Sequence, residues 1–322
     1  MKEVFFIRQN IDKWKSLEKV VDQASMHNPA ELADAYTEIT TDLSFSRAHY
    51  PKSRITIYLN NLASALHNLL YKNKKESYSR FITFWTREIP EVMYHSRKEL
   101  LYAFLVFAVS VLIGVVSAQN DDSFVRLIVG NGYVDITLRN IENGEPMKVY
   151  DLSSPLSMFI QIAYNNIKVS FLIFVFGLLT GFGTGFVLFR NGVMLGAIQT
   201  FFFQHQAGYE SMLAIWLHGT FEISAIIIAG AAGLVLGNGW LFPGTYSRRY
   251  AFRQGAKRGL KIVVGLIPVF ITAGFIESYL TRHVEYPTYF RLSIILISLI
   301  SVIVYYIIIP QLIHYGKFKT KN

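Results

Sequence analysis

The stretch WLHGTFEISAIIIAGAAGLVLG, residues 216–237, decides the fold class, because it is long and apolar enough to cross a bilayer as a single helix. It also carries an imidazole, His218, and a carboxylate, Glu222, four residues apart. On a helix this spacing places both side chains on one face. A carboxylate that faces hydrocarbon without a partner is strongly unfavourable, so we expect this face to contact protein rather than lipid.

Small residues extend the same face towards the end of the stretch. At spacings of three and four, the positions that follow Glu222 are Ala225, Ala229, Gly233 and Gly237. Small side chains at this spacing allow two helix backbones to approach closely. A second stripe, expected on one neighbouring helix, comprises Gly177, Gly181 and Gly185. These seven residues are therefore predicted to form helix-packing seams.

The composition supports a membrane protein. Of the 322 residues, 52% are hydrophobic and only 16% are charged, and the mean hydropathy is +0.32. The net charge of +9 is interpreted as an orientation signal, and we expect no nucleic-acid partner. The chain has no cysteine, which excludes disulfides. The N-terminus has no apolar core of signal-peptide length, so the first span is expected to act as the targeting signal.

About six apolar segments are predicted to span the membrane, and the third of them is short. The segments are 100–118, 168–189, 193–207, 213–237, 260–281 and 292–309. A basic stretch at 238–259 is predicted to be a cytoplasmic loop by the positive-inside rule. Its basic residues are Arg248, Arg249, Arg253, Lys257 and Arg258. Six spans place this loop and both termini in the cytoplasm. A tight turn at 190–192 leaves open a helical hairpin at the third span that does not fully cross.

The regions outside the spans suggest a two-domain organisation. Residues 1–99 are predicted to form a soluble cytoplasmic helical domain for protein–protein contact, followed by a transmembrane domain at 100–315 and a cytoplasmic tail at 316–322. Glycine-rich turns and β-branched residues predict a hairpin-bearing outer loop at 119–166. The last part of this loop, 154–166, is expected to be a short interfacial helix. The predicted fold class is all-α.

Four titratable residues are expected near the outer face of the membrane, where the predicted topology gathers them. They are His205, His218, Glu222 and Glu277. The favoured interpretation is hydrogen bonding across a tight bundle. The alternatives are a proton or ion site in a transport protein, and a metal site completed by His205 or Glu277. An intramembrane hydrolase is disfavoured, because it would need a nucleophile or a metal and the sequence contains no second tight acidic pair. We assign no metal, no cofactor and no catalytic residue from the sequence.

Three segments together resemble the stage II sporulation protein M family of integral membrane proteins. They are residues 165–197, the stretch 216–237 and FPGTYSRRYAFRQGAKRGLKIVVGLIPVFITAGFIES at 242–278. The resemblance covers roughly residues 92–285. It implies a non-enzymatic role, since the namesake anchors peptidoglycan-degrading partners in a membrane complex during engulfment. The added N-terminal domain and long outer loop favour a related role with different partners.

The predicted function is therefore an inner-membrane scaffold or partner subunit of an envelope-associated complex. Its expected partners are the lipid bilayer and other membrane or envelope proteins, with the oligomeric state left open. The alternative is a transporter or channel component that uses His218, Glu222 and Glu277 as its polar site.

Overall fold

The computed structural model describes residues 3–22, 29–71, 78–146, 154–283 and 286–319, and within these ranges it contains helices and no strand. The predicted all-α class is confirmed. The chain forms two compact units, Met1–Arg80 and Phe81–Asn322.

The first unit is a small helical bundle with its own core. It comprises α1 (Glu3–Asp22), α2 (Pro29–His49) and α3 (Arg54–Tyr71). Trp14 is fully buried at the centre of the core. Its indole N–H donates to Asp42 Oδ2 at 2.8 Å, and Asp42 also pairs with Lys13 at 2.5 Å. A buried Trp needs such a partner for its one polar atom.

The second unit begins before the membrane helices. It is entered through α4 (Tyr78–Thr83), a π-helical turn at Phe84–Glu88 and α5 (Ile89–His95). Ile89 and Met93 on α5 are buried in the core of this unit. The sequence suggested a domain boundary at residue 99, whereas the compact units meet between residues 80 and 81. The apolar face of α5 explains the difference, because it packs against the membrane helices.

Long helices make up most of the rest of the second unit, with two shorter ones after the first of them and another short one at the end. In chain order they are α6 (Arg97–Asn120), α7 (Asp122–Val129), α8 (Asn131–Glu142), α9 (Pro155–Phe176), α10 (Thr180–Gln204), α11 (Gly208–Leu241), α12 (Arg248–Ile276), α13 (Thr288–Ile303) and α14 (Ile309–Lys319). Short π-helical turns extend α12 to Thr281 and join α13 to α14.

Among the residues that the structure describes, five helical stretches are long and apolar enough to cross a membrane. They are Arg97–Asn120, Pro155–Gln204, Gly208–Leu241, Arg248–Thr281 and Thr288–Gly316. In the most apolar 18-residue segment of α11, 67% of the residues are buried, whereas in that of α6 only 22% are buried. Helix α11 is therefore the central helix, and the others shield it.

The 50-residue stretch Pro155–Gln204 is not one straight helix, because it folds back at a 3₁₀ turn, Gly177–Leu179. Thr180 follows this turn with a φ of +65°. On α9, Asn166 lies beside Glu222 of α11, and Ile173 lies beside Gly233. On α10, Thr184 lies beside Gly233 of α11, and Leu188 lies beside Gly230. Helix α9 thus runs parallel to α11 and α10 runs antiparallel to it, so α9 and α10 form a helical hairpin.

The predicted bounds of the spans at 168–189 and 193–207 are wrong, because the chain reverses at Gly177–Leu179 and not at 190–192. The turn predicted at 190–192 lies inside α10. Gly192 serves close packing there instead, since a Cβ at this position would lie 2.6 Å from Ser110 Cβ and 2.9 Å from the Phe107 carbonyl oxygen on α6. The real reversal lies in the apolar sequence GLLTG at 177–181, which carries no polar turn signal.

The predicted outer loop is helical in the part that the structure describes, so the expected hairpin is wrong for that part. Asp121 caps α7 by accepting a hydrogen bond from the Ser123 backbone N–H at 2.8 Å. Gly130, with a φ of +91°, separates α7 from α8. The interfacial helix predicted at 154–166 is the first half of α9. Residues 147–153 of this loop and 320–322 of the predicted tail lie outside the described residues.

The five basic residues predicted on a loop are helical. The connection between α11 and α12 covers only residues 242–247, and Ser247 caps the start of α12. The first turns of α12 present all five side chains on an exposed surface, and these are Arg248, Arg249, Arg253, Lys257 and Arg258.

Candidate functional site

A cluster of three titratable side chains lies where α11 and the end of α12 meet. His218 and Glu222 come from α11, and Glu277 begins the π-helical turn at the end of α12. One ligand atom from each residue lies within 4.8 Å of the other two. His218 Nε2 is 3.8 Å from Glu277 Oε1, and both side chains are at least 85% shielded, with exposed fractions of 7% and 15%.

Antiparallel packing of α11 and α12 brings these residues together. A Cβ at Gly255 would lie 2.9 Å from the Val235 carbonyl oxygen, and one at Gly259 would lie 2.7 Å from that of Ala232. Such close backbone approach is what small residues permit between membrane helices. The π-helical turn then changes the helical register at Glu277, and turns of this kind are frequent at functional sites.

A chain of hydrogen bonds orients the imidazole. His218 Nδ1 lies 3.1 Å from Thr281 Oγ1, and Thr281 Oγ1 also lies 3.4 Å from the Ile276 carbonyl oxygen. The imidazole also hydrogen-bonds to the backbone of Ala214, one turn earlier on α11. These contacts hold the ring with Nε2 towards Glu277.

The two carboxyl groups are held from the other side by α9. The amide of Asn166 donates to Glu222 Oε1, and Glu222 and Glu277 hydrogen-bond to one another. A bond between two carboxyl groups requires a proton on one of them. Both groups line a polar pocket of about 370 Å³ together with Gln161, Ile162, Asn165 and Asn166. The pocket connects the cluster to the surroundings of the bundle.

His205 does not join the cluster. Its Nδ1 contacts the Phe201 carbonyl oxygen at 2.8 Å, and its ring lies 4.3 Å from that of Phe201. The helix α10 ends at Gln204, so His205 belongs to the short connection to α11. The fourth polar residue at the cluster is instead Asn166, which donates to Glu222. The sequence missed it because residues 154–166 read as an interfacial helix, and it missed Thr281 because nothing marks a lone threonine at the end of a span.

The seven residues predicted to form packing seams lie in different surroundings. Ala225 and Ala229 are fully buried, and a Cβ at Gly177 would meet the Gly233 backbone. Gly237 lies against Gly177 and Gly181, whereas a Cβ at Gly185 would meet nothing within 4 Å. The three glycines predicted as one stripe also lie on two elements, because the reversal separates Gly177 from Gly181 and Gly185.

These features define a helical integral membrane protein with a buried polar cluster at its central helix. The family model of stage II sporulation protein M matches residues 103–282, and the chain belongs to this family. The match contains all three clustered residues and Asn166. A second family model, a domain of unknown function (DUF8413), matches residues 5–72 in the first unit. No curated protein and no solved structure matches the chain.

Proposed function

We propose that the protein is a membrane scaffold, a non-catalytic subunit that holds partner proteins of an envelope-associated complex at the inner membrane. The observation that carries this proposal is the division of the chain into two units. A membrane bundle of one family bears a helical bundle that has its own core and matches a separate family model. An added domain of this kind suits protein–protein contact better than chemistry.

The helix directions support an arrangement with both termini in the cytoplasm. Helices α6 and α10 run parallel, because Gly192 packs on Phe107 and Gly196 on Val111. Helices α9, α10, α11 and α12 alternate in direction, so the starts of α6 and α12 lie at the same side. The ring of Tyr94, just before α6, stacks on that of His314 with centroids 3.7 Å apart. The exposed basic turns of α12 lie at this side too, which the positive-inside rule assigns to the cytoplasm.

The first unit exposes large apolar side chains at one end, and we infer that a partner binds there. Val4, Phe5 and Ile57 are 63%, 57% and 62% exposed. A hydrogen bond from Ser53 to Glu3 joins the starts of α1 and α3, so these side chains lie at the same end of the bundle. Exposed apolar side chains grouped in this way are typical of interaction surfaces.

Crosslinked affinity purification of the tagged full chain from its native membrane, followed by mass spectrometry, tests the scaffold. Wild type is compared with Phe5→Asp and with Glu222→Gln at equal membrane abundance. We expect a stoichiometric set of envelope or cell-wall proteins that Glu222→Gln retains and Phe5→Asp loses. A chain that is purified without any stoichiometric partner would contradict the scaffold.

The polar pocket beside the cluster favours a second candidate function, transport of protons or cations. Glu222 and Glu277 are intramembrane carboxylates that reach a pocket lined by amides, and such groups mark ion pathways in many transporters. Purified protein in liposomes would then carry a proton or cation flux that Glu277→Gln abolishes. Flux no higher than in protein-free liposomes would exclude this candidate.

A further inference from the structure

We propose that His218, Glu222 and Glu277 form a binding site for one divalent transition-metal cation such as Zn²⁺. Each residue offers one ligand atom, and the three atoms lie within 4.8 Å of one another inside the bundle. The proposal concerns binding alone and depends on neither proposed function, since it is tested without partners and without a membrane potential.

The distances suit a metal after small side-chain movements. Four-coordinate zinc with bonds of about 2.0–2.1 Å places neighbouring ligand atoms roughly 3.3–3.4 Å apart. His218 Nε2 and Glu277 Oε1 are separated by 3.8 Å, so this edge closes by about half an ångström. The largest separation between two of the ligand atoms is at most 4.8 Å. It therefore shortens by at most roughly 1.5 Å, and rotation of a Glu side chain provides this movement.

The imidazole is already arranged as a metal ligand. Metal-bound histidines almost always donate their other ring N–H to a fixed acceptor, which sets the tautomer. Here Nδ1 contacts Thr281 Oγ1, which also contacts the Ile276 carbonyl oxygen, and the imidazole hydrogen-bonds to the backbone of Ala214. Asn166 fixes Glu222 in the same way. Two of the three ligands therefore have outer partners that hold them in place.

Charge balance favours a cation at this point. Among the residues that the structure describes, no Lys or Arg forms an ion pair with Glu222 or Glu277. His218 Nε2 lies 3.8 Å from Glu277 Oε1, beyond hydrogen-bond distance, so a cation can lie between these two atoms. A dication neutralises both carboxylates and accepts a lone pair from Nε2 as well.

The donor set selects the kind of metal. Ca²⁺ and Mg²⁺ prefer oxygen ligands alone, whereas imidazole suits zinc, iron, nickel and copper. Three protein ligands leave a fourth position open, as in zinc sites that bind water or a substrate. The pocket lined by Gln161, Asn165 and Asn166 lies beside the two carboxylates, so a water molecule or small polar ligand can occupy that position.

The test uses the full chain, carrying a tag without histidines and solubilised in detergent. The chain is stripped with a chelator and titrated with Co²⁺ while visible absorption is recorded, and bound Co²⁺ is then displaced with Zn²⁺. We expect about one ion per chain and the intense bands of a four-coordinate site. His205→Ala, which changes a histidine outside the cluster, is the matched control and should bind as wild type does.

Variants of the cluster separate a built site from adventitious binding. His218→Ala and Glu277→Gln should weaken binding by at least about 100-fold, and Thr281→Val, which removes only the outer partner, by roughly 10-fold. Gel filtration is used to check that each variant remains folded. If His218→Ala or Glu277→Gln does not fold, Thr281→Val still tests the proposal. A wild-type chain without Co²⁺ bands would overturn the proposal. Equal losses in His205→Ala and His218→Ala, or folded Thr281→Val with unchanged affinity, would also overturn it.

Discussion

Replacing Gly233 by alanine should destabilise the membrane bundle, because this glycine lies where α11 meets both arms of the α9–α10 hairpin. A Cβ at this position would meet Thr184 Oγ1 and would lie 2.7 Å from the Ile173 carbonyl oxygen. Ordinary contact begins about 0.7 Å further away. The obstacle on the α9 side is backbone, which cannot rotate out of the way.

The magnitude follows from two contributions. Overpacking of this kind typically costs about 1–3 kcal/mol. The hydrogen bond from Thr184 Oγ1 to the Ile173 carbonyl oxygen, 3.1 Å long, crosses the same point, and its loss adds about 1 kcal/mol. The expected loss of about 2–4 kcal/mol corresponds to a fall of roughly 5–15 °C in Tm for a unit of this size. Gly233→Leu should be worse.

Thermal unfolding in detergent, followed by fluorescence-detected gel filtration, measures this loss. Gly185→Ala is the matched control, since a Cβ there meets nothing within 4 Å and alanine favours a helix by up to about 1 kcal/mol over glycine. The control should unfold at or slightly above the wild-type temperature. Equal Tm values for Gly233→Ala and Gly185→Ala would refute the seam.

Three further outcomes are expected. Trp14→Ala should remove about 3–5 kcal/mol from the first unit, measured as faster limited proteolysis of that unit with the membrane bundle intact; unchanged proteolysis would count against its buried core. Because the chain has no cysteine, Ser123→Cys and Tyr246→Cys can be labelled singly with an impermeant maleimide, and they should react from opposite sides of the membrane. Labelling from the same side would mean that Pro155–Gln204 crosses only once. Burial and the nearby Glu18 raise the pKa of Tyr58 from 10.0 to about 12, so the unfolded chain ionises first and the first unit loses stability as the pH rises from 10 towards 12. Tyr58→Phe should flatten this pH dependence in denaturant unfolding, and an unchanged slope would contradict it.

Much of the membrane fold could be predicted from apolar windows, because a spanning helix needs a long run without charge. The position of the reversal between α9 and α10 could not. Gly192 follows Arg190 and Asn191 and reads as a turn, yet it is a packing glycine against α6. The true reversal at Gly177 is surrounded by leucine and phenylalanine, so it depends on tertiary contacts with α11 that no local signal reports.

Part of the candidate site could be predicted from helical spacing and from the depth of each residue along its span. Spacing alone places His218 and Glu222 on one face, and an antiparallel neighbour brings Glu277 to a similar depth. The sequence groups His205 with them because it predicts that the third span ends beside the start of the fourth at that depth. Depth does not specify which side of a helix a residue occupies, and His205 turns back to Phe201. Asn166 cannot be predicted as part of the site from a short interfacial helix, because its position depends on α9 running without a break from Pro155 to Phe176.

The placement of the cluster on three separate helices has a consequence for biogenesis. Asn166 is synthesised 56 residues before Glu222, whereas Glu277 follows it by 55 residues. At about 5–20 residues per second, Glu222 waits roughly 3–11 s for Glu277 after it has been made. During that interval we expect the Asn166 amide of α9 to serve as a partner for Glu222. The early hairpin would then act as a template that receives the central helix, and the cluster would be completed when α12 is inserted.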